Sequence, residues 1–379
     1  MRRTLLVTND FPPVVGGIQS YLDDYTRRLP AEDLVVLAST PPQGPQVAAE
    51  HDADLPFTVH RVPMQMLLPT PDVRGRMTQL IRDEHIETVW FGAAAPLGLL
   101  GRAAHRAGAT RVIATTHGHE VGWSMLPGSR QALRRIFREA DVVSYISDYT
   151  LGRLRPFMAP DQQLLRLPSG IDTERFRPDP EARRALRARY HLGESPTVVC
   201  VSRLVARKGQ DSLIAAWPRV VEQVPDAQLV IVGWGPYAKR LALLKRESPA
   251  RTSITLTGSV PAEELPGHVA MGDVFAMPCR TRGRGLDVEG LGIVFLEASA
   301  CAVPVIAGDS GGAPETVVED VSGNVVGGLD QDALVDALVA QLTQPELRER
   351  MGRAGRRLMQ EQWTWPTLVE RLVEAIDAR

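Results

Sequence analysis

The sequence predicts an α/β protein with two domains, each built on a parallel sheet. Short β-rich runs alternate with amphipathic stretches in the first half, and the same alternation resumes after a segment rich in turn residues. Glycine-rich polar turns also follow several of the strand-like runs. Alternation at this spacing is typical of βαβ units, whose ligands bind beyond the carboxyl ends of the strands. At 379 residues the chain is long enough to bury two cores.

The first half contains strand-like runs separated by helical ones. The predicted strands are residues 4–8, 34–38, 88–91, 112–115 and 142–145. The predicted helices are residues 18–29, 74–85, 97–107 and 130–140. The turn residues of 167–172 and 176–180 indicate a linker. We therefore expect a first domain over 1–170.

The second half repeats the pattern. The predicted strands are residues 197–201, 228–232, 254–257, 274–277 and 303–307. The predicted helices are residues 211–224, 236–246, 262–270, 332–343, 346–361 and 366–378, with a further helix that opens within the glycine-rich stretch 289–297. We expect a second domain over 171–362. The last helix, about 363–379, carries Trp363 and Trp365 at its start and is expected to pack back on the first domain.

Composition narrows the function classes. Hydrophobic residues make up 44% of the chain and charged residues 23%, as in ordinary globular proteins. A net charge of −2 gives no global basic field for nucleic acid. Three widely spaced cysteines favour reduced thiols in the cytoplasm. The apolar run at the start is too short for a signal peptide, and no apolar run reaches the roughly 20 residues that span a bilayer.

Two carboxylates bracket a glycine-rich turn in the second half. Glu289 lies in a loop and Glu297 about one turn inside the following helix, with Gly292 between them. Backbone amides at a helix start attract anions, and glycine lets a ligand approach that backbone. Acids beside an anion site suit a ligand with both hydroxyls and phosphates. A nucleotide sugar has both, although one of the glutamates can equally be a favourable helix-start charge.

Three further segments follow predicted strands. Gly16 and Gly17 precede the first helix, so their amides can meet a phosphate or sugar hydroxyl. His117 stands at a strand end beside a glycine, where its ring can donate to a ligand oxygen. Arg203 and Lys208 lie between a strand and its helix, level with the glutamates, and can neutralise a diphosphate. The alternatives are open turns and a solvated basic loop.

Metal binding is a weaker interpretation at two positions. His117 and His119 are spaced like a metal pair, but no third ligand lies near them in sequence. Asp52 and Asp54 match a carboxylate pair that some sugar-transfer enzymes use for divalent metals, and a solvated turn is the favoured interpretation there. We expect no metal site.

Together these residues resemble the retaining glycosyltransferases of family 4, which have the two-domain GT-B fold. The resemblance rests on Gly16 with Gly17, on His117, on Arg203 with Lys208, and on Glu289 eight positions before Glu297. Longer local likenesses, over 11–21, 116–124 and 280–294, are to members that use GDP-mannose and act on a phosphatidylinositol mannoside. The resemblance implies an acceptor-binding first domain and a nucleotide-sugar-binding second domain.

The resemblance also implies a role for each residue. Arg203 and Lys208 would hold the diphosphate, and the amides of Gly292, Ile293 and Val294 would bind phosphate. Glu289 would hold sugar hydroxyls and Glu297 the ribose hydroxyls. His117 would contact the sugar at its 6-hydroxyl, and Gly17, beside Gly16, would approach the diphosphate from the other domain. No metal cofactor is implied, because arginine and lysine supply the positive charge.

The implied acceptor carries lipid tails, so the resemblance also implies peripheral contact with the anionic inner face of the cell membrane. Two surfaces are candidates. Arg130, Arg134, Arg135 and Arg138 share one helix with Leu133, Ile136 and Phe137, and Met64, Met66, Leu67 and Leu68 form an apolar run. A packed helix with a solvated basic face explains the first equally well.

Three other functions compete with this hypothesis. A family 4 enzyme for another nucleotide sugar or a soluble acceptor would share every site residue. A nucleotide-binding regulator would not need the full charged set. A nicotinamide oxidoreductase is disfavoured, because the first turn lacks the G-x-G-x-x-G pattern.

Overall fold

The computed structural model describes residues 1–378. They form two compact units: Met1–Ser169 together with the segment that begins at Trp365, and Gly170–Thr364. The α/β class with two parallel sheets is confirmed. No helix among residues 1–378 is long and apolar enough to cross a membrane.

The first unit is organised around a seven-stranded sheet in which every neighbouring pair is parallel. Its strands are β1 Thr4–Thr8, β2 Leu34–Ser39, β3 Thr58–Val62, β4 Thr88–Phe91, β5 Arg111–Thr116, β6 Val142–Tyr145 and β7 Gln163–Arg166. Its helices are α1 Gly17–Thr26, α2 Pro45–Asp52, α3 Pro71–Asp83, α4 Gly101–Ala107, α5 Glu120–Trp123, α6 Pro127–Glu139 and α7 Asp148–Leu154. The spatial order is β3-β2-β1-β4-β5-β6-β7, so the winding direction reverses between β1 and β4.

The second unit has a six-stranded parallel sheet. Its strands are β8 Thr197–Val201, β9 Gln228–Val232, β10 Ile254–Gly258, β11 Val274–Met277, β12 Val305–Gly308 and β13 Gly323–Val326. Its helices are α8 Pro180–Arg189, α9 Gln210–Gln223, α10 Ala238–Glu247, α11 Leu265–Ala270, α12 Ile293–Ala300, α13 Gln331–Thr343 and α14 Pro345–Gln362. The order β10-β9-β8-β11-β12-β13 reverses between β8 and β11.

The last helix, α15 (Trp365–Asp377), completes the core of the first unit. Leu368, Leu372 and Ile376 are fully buried in the same cluster as Leu6 of β1. The Trp365 ring meets Tyr25 edge to face, with centroids 5.1 Å apart. Because these apolar positions recur every three or four residues, one face of the helix is covered by the sheet layer.

The structure adds elements that the sequence pattern did not predict. They are α2, β3, α5, α7, β7, α8 and β13. Two predicted helices are also shorter than expected, because 97–107 and 262–270 each begin with a 3-10 turn and become α-helical only at Gly101 and Leu265.

Candidate functional site

In the second unit, the loop after β8 is held against the end of β11, where the sheet reverses. The backbone N–H of Arg280 donates to the Arg207 carbonyl over 2.8 Å. Gly209 has φ +76°, and a Cβ there would lie 2.0 Å from the Pro278 carbonyl oxygen. Only glycine combines that backbone conformation with so close an approach. The loop therefore presents Arg207 and Lys208 at the topological switch point, where α/β sheets bind ligands.

Lys208 and Glu289 form a buried ion pair at this point. The Lys208 ammonium lies 2.8 Å from Glu289 Oε2, and Arg207 Nε lies 3.7 Å from the same oxygen. Apart from these ion-pair contacts, the buried Glu289 Oε2 has no hydrogen-bond partner within 1–378. A carboxylate oxygen has two lone pairs, so a hydroxyl donor can bond to it beside the ammonium.

The loop after β12 fixes the position of Glu289. Its backbone N–H donates to Ser310 Oγ, and its carbonyl accepts from the N–H of Gly312. Gly311, with φ +59°, passes so close that a Cβ would lie 1.9 Å from the Glu289 carbonyl oxygen. The polar loop 309–315 therefore supports Glu289.

The start of α12 leaves its first amides open. Gly292 precedes the helix in the left-handed region, with φ 88° and ψ 63°, and no side chain caps the helix. The first turn contains no acidic residue. The amides of Ile293 and Val294 thus lie at a helix start that can take an anion, as the sequence predicts.

Glu297 is half-buried one turn into α12. Burial raises the pKa of its carboxyl to about 7, against the smaller opposing effects of Arg175 and Lys208. The field of Lys208 therefore reaches Glu297, while its ammonium contacts Glu289. One lysine thus acts on both predicted carboxylates.

Arg203 is exposed, and its side chain makes no hydrogen bond or ion pair with residues 1–378. Its backbone is held by Gln210, a fully buried residue whose amide donates to Ser202 Oγ over 2.8 Å and to the Arg203 carbonyl over 3.1 Å. Gln210 was not predicted as a site residue from the sequence. Its role depends on the turn before it folding back over its side chain, which the sequence pattern does not show.

In the first unit, His117 follows β5 beside the place where β1 and β4 reverse the sheet. Its Nε2 lies 2.7 Å from the Gly92 carbonyl oxygen, directly after β4, and Tyr21 meets the ring edge to face at 4.8 Å. Burial lowers the pKa of His117. The neutral ring therefore donates from Nε2 to Gly92, which leaves Nδ1 as an acceptor. The prediction that the ring donates to a ligand oxygen is wrong for this geometry, since the free nitrogen accepts.

Two acids surround this histidine. Glu120 Oε2 accepts from the backbone N–H groups of His117 and Gly118, at 3.0 and 3.1 Å. Asp10 interacts electrostatically with His117, and burial raises the pKa of the Asp10 carboxyl. Asp10 is a second residue that the sequence analysis passed over, because only the fold brings the turn after β1 next to the end of β5.

Gly16 and Gly17 lie at the start of α1, one turn before Tyr21. Gly16 is the N-cap residue with an extended backbone that any residue adopts, and no side chain caps the helix. A Cβ at Gly17 would meet no atom within 4 Å. The fold itself therefore does not require glycine at 17, and the space beside its backbone is open to a ligand.

The alternative sites have structural explanations. Among residues 1–378 no group of three or more His, Cys, Asp or Glu side chains is placed to hold a metal ion. Asp52 ends α2 and pairs with Arg61 at 2.8 Å, so the expectation of a solvated turn is wrong for Asp52.

The two predicted membrane-contact surfaces are partly buried in the core. Leu133, Ile136 and Phe137 of α6 are fully buried, which leaves only the basic face of that helix exposed. Leu67 is also fully buried, and Asn9 bonds both its N–H and its carbonyl. Met66 and Leu68 remain exposed.

Two Rossmann-like units, each built on a parallel sheet with polar groups at its switch point, give the chain the GT-B fold. Solved structures share this fold: the Anabaena Alr3699/HepE structure in complex with UDP covers 100% of both chains with a TM-score of 0.82 at 17% identity. The sucrose-phosphate synthase of Thermosynechococcus elongatus covers 98% of both chains, with a TM-score of 0.77 at 22% identity.

Sequence comparison gives the family. Residues 15–175 match Glycosyltransferase Family 4, and residues 183–358 match Glycosyl transferases group 1. The chain is 53% identical over 375 residues, 99% of its length and 98% of the relative's, to the GDP-mannose-dependent alpha-(1-6)-phosphatidylinositol monomannoside mannosyltransferase of Mycolicibacterium smegmatis. It is 49% identical over 379 residues to the Corynebacterium glutamicum enzyme for the monoacylated form of that acceptor, covering 100% of this chain and 98% of the relative. The chain belongs to glycosyltransferase family 4.

Proposed function

We propose that this glycosyltransferase moves an α-mannosyl residue from GDP-mannose to phosphatidylinositol monomannoside, adding the second mannose to form the dimannoside, with retained configuration. One observation carries the proposal. Identity of 49–53% extends over at least 99% of this chain to relatives named for that donor and acceptor.

The second unit offers each part of a nucleotide sugar a matching group. The exposed guanidinium of Arg203 and the ammonium of Lys208 would meet the diphosphate, and the amides at the start of α12 would add hydrogen bonds. Glu289 Oε2, buried without a hydrogen-bond partner in the described chain, would accept from a mannose hydroxyl. Glu297 would accept from the ribose hydroxyls.

Lys208 can serve the carboxylate and the diphosphate together. An ammonium has three N–H donors, and its contact with Glu289 at 2.8 Å uses only one direction. As the bond from the sugar to phosphate breaks, negative charge grows on the diphosphate. A fixed cation beside that charge stabilises the transition state, which is commonly the largest single catalytic effect.

The transfer step proposed is a same-face attack. The bond between mannose C1 and the leaving phosphate oxygen breaks, and the acceptor hydroxyl oxygen bonds to C1 on the face that the phosphate leaves. The departing phosphate oxygen takes the acceptor's proton, so GDP leaves with the bonding electron pair. Glu289 is engaged by Lys208 and directed at hydroxyls, which argues against a role as covalent nucleophile.

Within the first unit, Nδ1 of His117 would accept from the 6-hydroxyl of the sugar. Because Nε2 is engaged with Gly92, the ring orientation is fixed before a ligand binds. The pKa of the ring is lowered by burial, so it stays neutral and keeps this acceptor over the ordinary working range.

We propose that transfer needs no divalent metal, because Arg203 and Lys208 supply the charge that a metal would otherwise provide. The test is the initial rate with EDTA in excess, compared with added magnesium or manganese. Equal rates support the proposal, and a rate that collapses with EDTA and returns with metal contradicts it.

The acceptor would hold the enzyme at the anionic inner face of the cell membrane, as a peripheral protein. The exposed arginines of α6 support contact by charge, since basic side chains near an anionic leaflet each contribute about 1 kcal/mol. The apolar part of that helix lies in the core, so contact would be electrostatic and sensitive to salt.

The deciding experiment is a transfer assay with radiolabelled donors. Purified protein receives GDP-mannose or UDP-glucose, with phosphatidylinositol monomannoside in vesicles or free inositol phosphate as acceptor. Label entering the lipid only from GDP-mannose supports the proposal, and NMR of the new anomeric centre tests retention. Transfer to the soluble acceptor, or only from the other donor, overturns the assigned substrates and leaves the family standing.

A further inference from the structure

A cavity of about 420 Å³ in the first unit is lined by arginines from three helices. The arginines are Arg74 and Arg82 of α3, Arg102 and Arg106 of α4, and Arg135 of α6. Its other lining residues are Pro69, Thr78, Leu99, Leu100, Ala103 and Ala107, so no acidic side chain lines it. Neither the glycines at the start of α1 nor His117 lines this cavity.

Helix periodicity concentrates the charge. Arg74, Thr78 and Arg82 recur at four-residue intervals and so share one face of α3. Arg102 and Arg106 are likewise four apart on α4. Two basic stripes therefore line one cavity. Like charges four residues apart, such as Arg102 and Arg106, destabilise a helix by a few tenths of a kcal/mol, and the arginines of α3 add further repulsion.

No ion pair relieves this repulsion. Within residues 1–378, none of the five arginine side chains makes a hydrogen bond or an ion pair. Asp72 in the first turn of α3 pairs with Arg76 at 3.1 Å, and Glu84, directly after that helix, pairs with Arg3 at 2.6 Å. The charge thus remains available to a ligand.

We propose that this cavity is a second anion site, separate from the nucleotide-sugar site, that binds a multiply charged phosphate group. Guanidinium groups hold phosphate oxygens through two parallel N–H bonds, which suits a concave set of arginines better than a set of lysines. Leu100 and Ala103 give the cavity an apolar wall, which strengthens the field inside it. The phosphate can be carried by a free solute or by a phospholipid headgroup.

The test compares two double variants with the same loss of charge. Arg102→Gln with Arg106→Gln removes the α4 stripe. Arg153→Gln with Arg246→Gln removes two exposed arginines that line neither this cavity nor the candidate site, and serves as the control. Binding of inorganic pyrophosphate is measured by calorimetry with GDP in excess, which occupies the candidate donor site. Binding to phosphatidylcholine vesicles with and without phosphatidic acid is measured by sedimentation.

We expect the wild type and the control to bind at least one of the two probes, and the α4 variant to bind it roughly a hundredfold more weakly, about tenfold per arginine. Loss of pyrophosphate binding assigns a free phosphate, and loss of binding to phosphatidic acid vesicles alone assigns a headgroup. Equal binding by the α4 variant and the wild type overturns the proposal. So does equal loss in the control, or binding of neither probe by the wild type. None of these outcomes depends on transfer activity, so they are independent of the proposed reaction.

Discussion

The two units place different chemical groups at the switch points of their sheets. In the second unit the reversal between β8 and β11 gathers formal charge: a lysine paired with one buried carboxylate, and a second carboxylate within the lysine's field. In the first unit the reversal between β1 and β4 gathers groups that burial pushes toward neutrality. The pKa of His117 is lowered there and that of Asp10 is raised. We call the edge with the Lys208–Glu289 ion pair the charged edge and the edge around His117 the neutral edge. The cation of the charged edge suits a diphosphate.

The largest effect is expected from breaking the ion pair of the charged edge. Lys208→Ala should lower kcat by about a thousandfold or more, because it removes the cation beside the departing diphosphate. Glu289→Gln should have a comparable effect on transfer while keeping the shape of the side chain. Initial rates of mannosyl transfer measure both.

Circular dichroism and thermal unfolding are the controls for these two variants, since each leaves a buried partner without its counter-charge. Arg246→Gln, an exposed change in the same unit, should transfer at the wild-type rate. Near-normal transfer by a folded Lys208→Ala protein would remove this lysine from the mechanism.

A smaller effect is expected at the neutral edge. His117→Gln can keep an N–H donor for the Gly92 carbonyl but loses the acceptor at Nδ1. We expect transfer to fall by about a hundredfold, because one positioning contact is worth about 2–3 kcal/mol when it strengthens in the transition state. If the His117→Gln and His117→Ala variants both transfer at the wild-type rate, His117 makes no contact with the sugar.

The third expected effect is a pH dependence of donor affinity at the charged edge. The pKa of Glu297 is about 7, so the carboxylate that we propose accepts from ribose forms as the pH rises through that value. Affinity for GDP-mannose should therefore increase by about tenfold from roughly pH 6 to pH 8, while Glu297→Gln shows a flat profile. The donor's diphosphate is a diester and does not titrate in this range. A wild-type profile that is flat as well would exclude the ribose role.

The last effect is on stability, and its sign is opposite. Folding raises the pKa of Glu297 from 4.5 to about 7, so the folded state favours the protonated form. This contribution is present below the unfolded pKa and is lost as pH rises through the folded one. Glu297→Gln should thus be more stable than the wild type above about pH 7 by roughly 1–3 kcal/mol, and gain little near pH 4. Denaturant unfolding at both pH values measures the difference, and an equal effect at both would contradict the assigned pKa.

Every central strand was predicted from the sequence, whereas three of the four edge strands were not. Residues 274–277 and 88–91 are apolar runs bounded by turn residues, and they are strands β11 and β4. The missed strands β3, β7 and β13 all lie at sheet edges, and β3 and β7 are only partly buried. An edge strand keeps one side toward solvent and carries polar residues, so its hydrophobic pattern is weak.

The residues of the candidate site likewise divide into those that the sequence predicted and those that it did not. Charged residues that follow a buried strand, such as Lys208, were found because their place in a βαβ unit is read from sequence. Gln210 and Asp10 were not, because their significance depends on contacts with segments distant in the chain. The choice between Nδ1 and Nε2 of His117 was also out of reach, since the Gly92 carbonyl decides it.

The path of the chain has a consequence for synthesis on the ribosome. The core cluster of the first unit includes α15, and the whole of Gly170–Thr364 is translated before Trp365 leaves the exit tunnel. Until then Tyr25, Trp90 and their neighbours lack an apolar cover, although the second unit is already free to fold. Nascent chains paused before Trp365 should be the ones that chaperones retain, and release should follow arrival of the last helix.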